Sequence, residues 1–186
     1  MRRYYITDRK GLKGDILDAI EAAAADGVDW VQIREKDLPP RELLDLTRAA
    51  LSRVEKYPTK ILINSRLDVA LAAGSHGVHL TSGCPSPGRL RSIVPAKFLI
   101  GVSTHTLDQA ERAGIEFADF AVFGPVFATE SKVGYGDAVG LAALAEVCAW
   151  ARLPVLALGG ISADRIESCV AAGAAGVAGI SMFQGS

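Results

Sequence analysis

The stretch FADFAVFGPVFATESKVGYG, residues 117–136, joins a short apolar run to a loop that gathers glycine, proline, threonine, serine and lysine. The run Phe117–Val122 has the length of a buried strand, and the residues after it suit anion binding better than core packing. Two later apolar runs end in similar loops, Leu158-Gly159-Gly160-Ile161 and Gly179-Ile180-Ser181. Parallel strands deliver their carboxyl ends to one edge, so the pattern predicts a site for a small phosphorylated ligand at that rim.

Apolar runs alternate with amphipathic stretches along the chain, and this alternation predicts strands paired in parallel through right-handed helical crossovers. The predicted strands are Tyr4–Thr7, Trp30–Arg34, Lys60–Ile63, Gly77–Leu80, Phe98–Val102, Phe117–Val122, Val155–Leu158 and Gly176–Gly179. The predicted helices are Asp15–Asp26, Arg41–Glu55, Leu67–Ala73, Pro87–Ile93, Leu107–Ala113, Leu141–Ala151 and Ala163–Ala172.

Eight strands favour a closed (β/α)8 barrel, and residues 1–186 form one α/β domain in this interpretation. An open doubly wound sheet is the structural alternative, but its GxGxxG signature is missing at the first turn. The chain is short for a barrel and stops soon after the eighth predicted strand. We therefore expect the final helix to be missing or replaced by a neighbouring element. Its absence would leave an apolar flank available for a homodimer contact, and truncation of the sequence is the equal alternative.

Composition narrows the classes of partner and the compartment. The chain has 21 acidic and 20 basic residues with no basic stripe, which argues against nucleic acid and membrane surfaces as partners. Three scattered cysteines without a CxxC motif indicate neither a disulfide framework nor a zinc site. No apolar signal-peptide core or membrane-spanning run is found, so the expected location is the cytoplasm.

Polar residues at the ends of the second and third strands are candidate ligands of an anion. Gln32 and Arg34 alternate with apolar residues and share one side of their strand, and an inward guanidinium in a barrel requires a counter-charge. The alternative is an internal ion network of Arg34 with Glu35 or Asp8. Asn64 can hydrogen-bond a ligand, whereas its neighbour Ser65 is better explained as a helix cap.

Two histidines and a serine lie within or just after the fourth and fifth predicted strands. His79 is interpreted as a packed strand residue, and Ser103 is predicted to lie near the rim. His105 titrates near neutrality when unperturbed, so it could carry protons, although such a histidine more often bonds a nearby backbone group.

The last three loops supply the predicted phosphate contacts. Lys132, with Thr129 and Ser131, can bind a phosphate or a leaving pyrophosphate, the alternative being a solvated lysine on a long loop. The Gly159-Gly160 pair lets backbone N–H groups approach a phosphate, and Ser181 lies on the loop after the eighth strand. Phosphate sites after strands seven and eight recur in barrels.

Several segments together resemble the thiamin phosphate synthase and TenI superfamily along almost the whole chain. The matching segments are YYITDR (4–9), VQIREKD (31–37), INSRLDVALAAGSHGVHL (63–80), IGVSTHT (100–106), DFAVFGPVFATESK (119–132), PVLALGGI (154–161) and GAAGVAGIS (173–181). The resemblance implies a (β/α)8 barrel with a role in thiamin biosynthesis. A synthase of this superfamily joins hydroxymethylpyrimidine diphosphate to a thiazole phosphate, and pyrophosphate leaves first.

The resemblance also implies which residues bind the two substrates. The pyrimidine-diphosphate side matches Gln32, Arg34, Lys36, Asn64, Ser103 and Lys132. The thiazole-phosphate side matches Thr129, Ser131, Gly160, Ile180 and Ser181.

Two departures from the synthase pattern set the expected function. Synthases read Asn-Asp-Arg where this chain has Asn64-Ser65-Arg66, and Gly-Gln-x-Asp where it has residues 81–84, TSGC. Both carboxylates expected to hold Mg²⁺ are absent, so no cofactor is expected unless the chain is a synthase. The segment HLTSGCPSPGRLR, residues 79–91, is more similar to the TenI branch, some members of which are thiazole tautomerases.

The primary expectation is therefore a TenI-like protein that binds a thiazole phosphate and acts as a metal-independent thiazole tautomerase, an isomerase. The histidine of that branch would stand at Pro125, so His105 is the substitute candidate base, with Lys132 as the second catalytic candidate. The alternatives are a thiamin phosphate synthase, a transferase, with a weakened metal site, and a non-catalytic protein that binds a phosphorylated ligand.

Overall fold

The eight strands pair in parallel and in sequence order, and β1 also pairs with β8, so the sheet closes into a barrel. This computed structural model describes residues 1–81, 83–128 and 138–184. The (β/α)8 prediction is confirmed, and the open doubly wound sheet is excluded by the β1–β8 pairing. The strands are β1 Arg2–Ile6, β2 Trp30–Ile33, β3 Lys60–Asn64, β4 Gly77–Leu80, β5 Leu99–Thr104, β6 Phe120–Phe123, β7 Val155–Leu158 and β8 Gly176–Gly179.

Helices cover the outside of the barrel and bury the outward-facing aliphatic residues of the strands. Asp15 begins the first helix as an N-cap, because its carboxylate accepts from the backbone N–H groups of Leu17 and Asp18. After β8 the described residues contain one helical turn, α8. The helices are α1 Ile16–Ala25, α2 Pro40–Val54, α3 Leu67–Ala73, α4 Pro87–Arg91, α5 Leu107–Ile115, α6 Gly140–Trp150, α7 Ile166–Ala171 and α8 Ser181–Gln184.

The junction of α5 and β6 differs from the sequence prediction. Phe117 has φ 63°, in the left-handed region, and its N–H donates to the carbonyl oxygen of Gly114. It therefore ends a helix in the conformation that glycine usually supplies, as Gly74 does after α3. The predicted strand Phe117–Val122 began too early because its first aromatic residue belongs to this turn and is 69% exposed.

The inside of the barrel is divided into an aromatic lower layer and a polar upper layer. Trp30 and Phe120 lie with ring centroids 4.4 Å apart, and Tyr4 meets Phe120 edge-on at 5.5 Å. Above them, alternation along the strands turns Gln32 and His79 inward, and both are almost fully buried. The aromatic layer closes the lower end of the barrel, so the space that remains lies at the carboxyl ends of the strands.

Several large apolar side chains are exposed on the outside, including Ile115, Phe117 and Trp150. These side chains do not identify a partner, so the homodimer contact stays a prediction. None of the helices in the described ranges has the length and apolar character needed to cross a bilayer.

The aromatic layer depends on a glycine in β5. A Cβ atom on Gly101 would overlap the ring of Phe120, which is fully buried. We expect Gly101→Ala to lower the free energy of unfolding by about 1–3 kcal/mol, the usual cost of overpacking a core. Denaturant unfolding would measure the change. Gly88→Ala in α4 is the matched control, since its nearest neighbour would lie at 3.7 Å, and it should be neutral or slightly stabilising. Equal stability of the two variants would contradict the packing argument.

Candidate functional site

A cavity of about 390 Å³ opens at the carboxyl ends of the strands, where barrel enzymes place their chemistry. Nine of the residues predicted for the site line it: Gln32, Arg34, Lys36, Asn64, Ser103, His105, Gly160, Ile180 and Ser181. Thr129, Ser131 and Lys132 lie outside the described residues, so their predicted positions have no structural counterpart. The structure thus gathers residues from β2, β3, β5, β7 and β8 around one space, and their individual roles stay predictions.

Arg34 points into the cavity without an ion-pair partner among the described residues. The neighbouring Glu35 is buried and accepts a hydrogen bond from the Thr7 hydroxyl at 2.6 Å. It also accepts from the backbone N–H of Arg9, whose guanidinium pairs with Asp37 at 2.8 Å. The guanidinium of Arg9, with Lys10 beside it, lowers the pKa of the Asp37 carboxyl to about 2. The acidic residues after β2 are therefore engaged elsewhere, and the proposed ion network of Arg34 with Glu35 is not formed.

A chain of four polar side chains crosses the upper barrel. Gln32 Nε2 donates to the Tyr4 hydroxyl at 2.9 Å, and that hydroxyl lies 3.3 Å from His79 Nδ1. His79 Nε2 lies 2.9 Å from Ser103 Oγ at the cavity wall. Burial, with a smaller contribution from the Arg34 charge, lowers the pKa of His79 to about 3. His79 is packed as predicted, but it also contacts Ser103, and sequence analysis had not singled out Tyr4.

His105 stands on the rim and is oriented by the backbone of the next loop. Its Nδ1 donates to the carbonyl oxygen of Gly124 at 2.6 Å, so in the neutral ring the lone pair is on Nε2. The backbone bond is the alternative that the sequence analysis had named for this residue. The bond joins β5 to the start of the loop after β6.

The two glycines after β7 are required by close packing as well as by their backbone angles. Gly159 has φ 96°, and a Cβ atom there would lie 2.5 Å from Pro125. Gly160 has φ 62°, and a Cβ atom there would meet Phe127 and the carbonyl oxygen of Ala128. The predicted reason was unobstructed approach of a phosphate to the backbone. The structure adds a second reason, because the segment after β6 lies directly against this turn.

Arg165 holds the same turn from outside and was missed by sequence analysis. Its Nη1 donates to the carbonyl oxygen of Gly160 at 2.8 Å, and its guanidinium lies 4.7 Å from the centre of the Phe127 ring. It follows Gly160 by five residues within a 3₁₀ turn at Ala163–Arg165, so no spacing motif marks it. Its contacts join the turn after β7 to the segment after β6.

A small hydroxyl and thiol cluster includes Ser65 and Cys84, the two positions where the family resemblance implies carboxylates. Ser65 Oγ lies 2.9 Å from Thr81 Oγ1, which lies 3.9 Å from Cys84 Sγ. The prediction that Ser65 caps α3 is wrong, since α3 begins after Arg66 without a side-chain cap bond. Ser65 has φ 58°, a conformation that asparagine and aspartate tolerate better than most residues.

The hydroxyl and thiol groups of this cluster are unsuitable as ligands of Mg²⁺. Mg²⁺ prefers hard oxygen ligands that include a carboxylate, whereas the cluster offers neutral hydroxyls and a thiol. Within residues 1–81, 83–128 and 138–184, no group of three or more histidine, cysteine, aspartate or glutamate side chains could hold a metal ion. Asp8 is the one carboxylate among the described cavity-lining residues.

Asn64 lies beside this cluster, and its side-chain oxygen is buried. Its Nδ2 donates to Ser65 Oγ at 3.3 Å, but its Oδ1 has no hydrogen-bond partner among the described residues. A buried polar atom without a partner is costly, so this oxygen is suited to accept from a group that enters the cavity.

Comparison with known proteins identifies the family of this barrel. Residues 3–183 match the family described as "Thiamine monophosphate synthase". A "Putative thiamine-phosphate synthase" of Geobacter sulfurreducens is 47% identical over 179 residues, which are 96% of this chain and 84% of that protein. The "Thiamine-phosphate synthase" of Methanoculleus marisnigri is 43% identical over 183 residues, which are 98% of this chain and 87% of that protein.

Solved structures give the same result. The structure titled "Thiamine phosphate pyrophosphorylase from Pyrococcus furiosus" superposes with a TM-score of 0.89 at 30% identity, covering all of this chain and 88% of that one. FabK from Thermotoga maritima, at 17% identity and a TM-score of 0.72, shares the fold alone.

These relatives correct the primary functional expectation. Relatives that are similar over nearly the whole length carry the name of the synthase, so the TenI-like tautomerase interpretation is wrong and its alternative, the transferase, is favoured. The isomerase had rested on the missing carboxylates and the segment after β4, which are local departures within a chain that matches throughout. The match over residues 3–183 and the identities above 40% show that this chain belongs to the thiamine monophosphate synthase family.

Proposed function

We propose that this protein is a transferase that joins hydroxymethylpyrimidine diphosphate to a thiazole phosphate, with release of pyrophosphate. One observation supports the proposal: a single cavity holds two cationic side chains without ion-pair partners among residues 1–81, 83–128 and 138–184 on one side, and a glycine and hydroxyl turn on the other. Arg34 and Lys36 follow β2, and Gly160 and Ser181 follow β7 and β8, with β1 between them. Two phosphorylated substrates in contact with each other require such an arrangement.

The chemistry assigned to the cavity has two steps. The C–O bond to the diphosphate breaks and its electron pair leaves with pyrophosphate, so negative charge grows on the departing oxygens. The lone pair of the thiazole nitrogen then forms a C–N bond to the pyrimidine methylene carbon. The guanidinium of Arg34 and the ammonium of Lys36 stabilise the charge on the leaving group, the type of electrostatic contribution that dominates such reactions.

The walls of the cavity suit a cationic intermediate that water would consume. Ile6, Val122, Leu158 and Ala178 supply apolar contacts, and the aromatic layer blocks entry from below. Excluding water favours capture of the cation by the thiazole over hydrolysis. Gln32, Asn64 and Ser103 are left to bind the pyrimidine, and Gly160, Ile180 and Ser181 to bind the thiazole phosphate, as the family resemblance implies.

The first test measures pyrophosphate release and thiamin phosphate formation from the two substrates with Mg²⁺ present. We expect turnover by the wild-type protein and a loss of about 10²- to 10³-fold in kcat/KM for Arg34→Gln, the range seen when one donor to a developing oxyanion is removed. Arg53→Gln is the control, because Arg53 pairs with Asp18 and Glu21 on the outer surface. It should remain within about twofold of wild type, as surface substitutions usually do. Binding of both substrates without product would instead support a non-catalytic binding protein.

The second test concerns the metal. Because Ser65 and Cys84 stand at the carboxylate positions, we expect the wild-type protein to bind Mn²⁺, a spectroscopic substitute for Mg²⁺, only weakly when no diphosphate is present. Ser65→Asp should tighten that binding, and the neutral Ser65→Asn should not. Electron paramagnetic resonance of free Mn²⁺ would measure both. Tight stoichiometric binding of Mn²⁺ by the wild-type protein alone would contradict the expectation that these side chains are poor Mg²⁺ ligands.

A further inference from the structure

The polar chain inside the barrel links two groups that face the cavity. Gln32 comes from β2, Tyr4 from β1, His79 from β4 and Ser103 from β5, so no local sequence signal connects them. Tyr4 is fully buried and His79 nearly so. Gln32 and Ser103 both line the cavity, and the only described path of hydrogen bonds between them runs through Tyr4 and His79.

Both interior groups are neutral over the usual range of pH. Burial raises the pKa of the Tyr4 hydroxyl far above its ordinary value, so the phenol keeps its proton. Burial also lowers the pKa of His79 to about 3, so the imidazole carries one hydrogen. Arg34 is the charged group that acts on His79, and its positive charge disfavours protonation further. Each interior group therefore has one hydrogen to donate.

The position of those hydrogens gives the chain a direction. Gln32 Nε2 donates to the Tyr4 oxygen, which leaves the phenol hydrogen free to donate to His79 Nδ1. With Nδ1 as acceptor, the imidazole hydrogen is on Nε2 and donates to Ser103 Oγ. The opposite tautomer would give the Tyr4 oxygen two donors and leave its own hydrogen without a described acceptor in a buried place.

This direction fixes what the two ends offer to a ligand. Gln32 uses one of its two N–H groups on Tyr4, which fixes the orientation of its amide and leaves Oε1 as an acceptor. Ser103 has accepted a hydrogen bond from His79, so its own hydrogen is available to be donated. The buried Oδ1 of Asn64 adds another acceptor beside them.

We propose that Tyr4 and His79 are positioning residues, which hold Gln32 as an acceptor and Ser103 as a donor so that the cavity selects an aminopyrimidine ring. This inference rests on the proposed function for its substrate. An aminopyrimidine presents an N–H donor for Gln32 Oε1 and ring nitrogen acceptors for the Ser103 hydroxyl. An oxopyrimidine instead places an acceptor against Oε1 and converts one ring nitrogen into a donor, so it mispairs with the chain.

The selection is tested by calorimetry with hydroxymethylpyrimidine diphosphate and with its analogue that carries an oxo group in place of the amino group. We expect the wild-type protein to bind the amino form at least about tenfold more tightly, since mispaired buried polar groups are costly. In Tyr4→Phe the ratio should fall toward one. Tyr5→Phe is the matched control, because Tyr5 also loses a hydrogen bond, from Gln184, but lies outside the barrel interior. An unchanged ratio in Tyr4→Phe would overturn the proposal.

A double-mutant cycle then separates positioning from general damage to the fold. Among the described residues, the hydrogen bonds between Tyr4 and Ser103 run through His79, so Tyr4→Phe should weaken binding of the amino form in the wild type and add little in Ser103→Ala. If the losses of affinity in the two single variants multiply fully in the double variant, the positioning role is overturned. We expect His79→Gln, which keeps an N–H donor, to preserve the ratio of affinities for the amino and oxo forms better than His79→Met. Melting curves would confirm that both variants fold.

Nitrogen NMR of the histidine rings tests the direction of the chain without any substrate. We expect His79 to carry its hydrogen on Nε2 and to show no titration from pH 5 to 8, whereas His105 carries its hydrogen on Nδ1 when neutral and serves as an internal reference. The ring nitrogen signals that disappear in His79→Gln identify the resonances of His79. A hydrogen on Nδ1 of His79 would overturn the direction. Absence of turnover with the expected tautomer and ring selection would count against the proposed reaction alone.

Discussion

The contact of Phe120 with Trp30 and Tyr4 inside the barrel is the constraint on which the rest of the structure depends. Three aromatic rings fill the lower interior, and the glycine opposite Phe120 in β5 gives its ring room. With that layer in place, the interior above it is where the described residues leave room for polar side chains and a ligand. The same layer carries the Tyr4 hydroxyl at its upper edge, so one residue belongs both to the floor of the cavity and to the hydrogen-bond chain above it.

The elements of the fold could be predicted from the sequence because each strand is a short apolar run between helical patterns. The bounds of β4, β7 and β8 agree with those expected from their sequences, Gly77–Leu80, Val155–Leu158 and Gly176–Gly179. The beginning of β6 could not be predicted, because Phe117 adopts a left-handed backbone conformation that sequence patterns assign to glycine. Apolar periodicity reports burial, and Phe117 is an apolar residue that is not buried.

Some features of the candidate site could be predicted from the sequence, and others could not. Alternation within β2 placed Gln32 and Arg34 on one side, and the fold confirms that this side is the interior. The Tyr4–His79 connection could not be predicted, since it depends on the register of strands that are not adjacent in sequence. The transferase was not the primary prediction because the two absent carboxylates are a local departure from the synthase pattern, whereas the relatives agree with this chain along nearly its whole length.

The interior chain from Gln32 to Ser103 also bears on how such a barrel can change during evolution. Because the two ends share one set of hydrogens, a substitution that reverses the polarity at one end leaves the other mispaired with both ligand and neighbour. A lineage that came to recognise a different ring would therefore have to alter distant strands together. On this proposal, recognition of the ring is a joint property of β1, β2, β4 and β5, and it changes only when those strands change together.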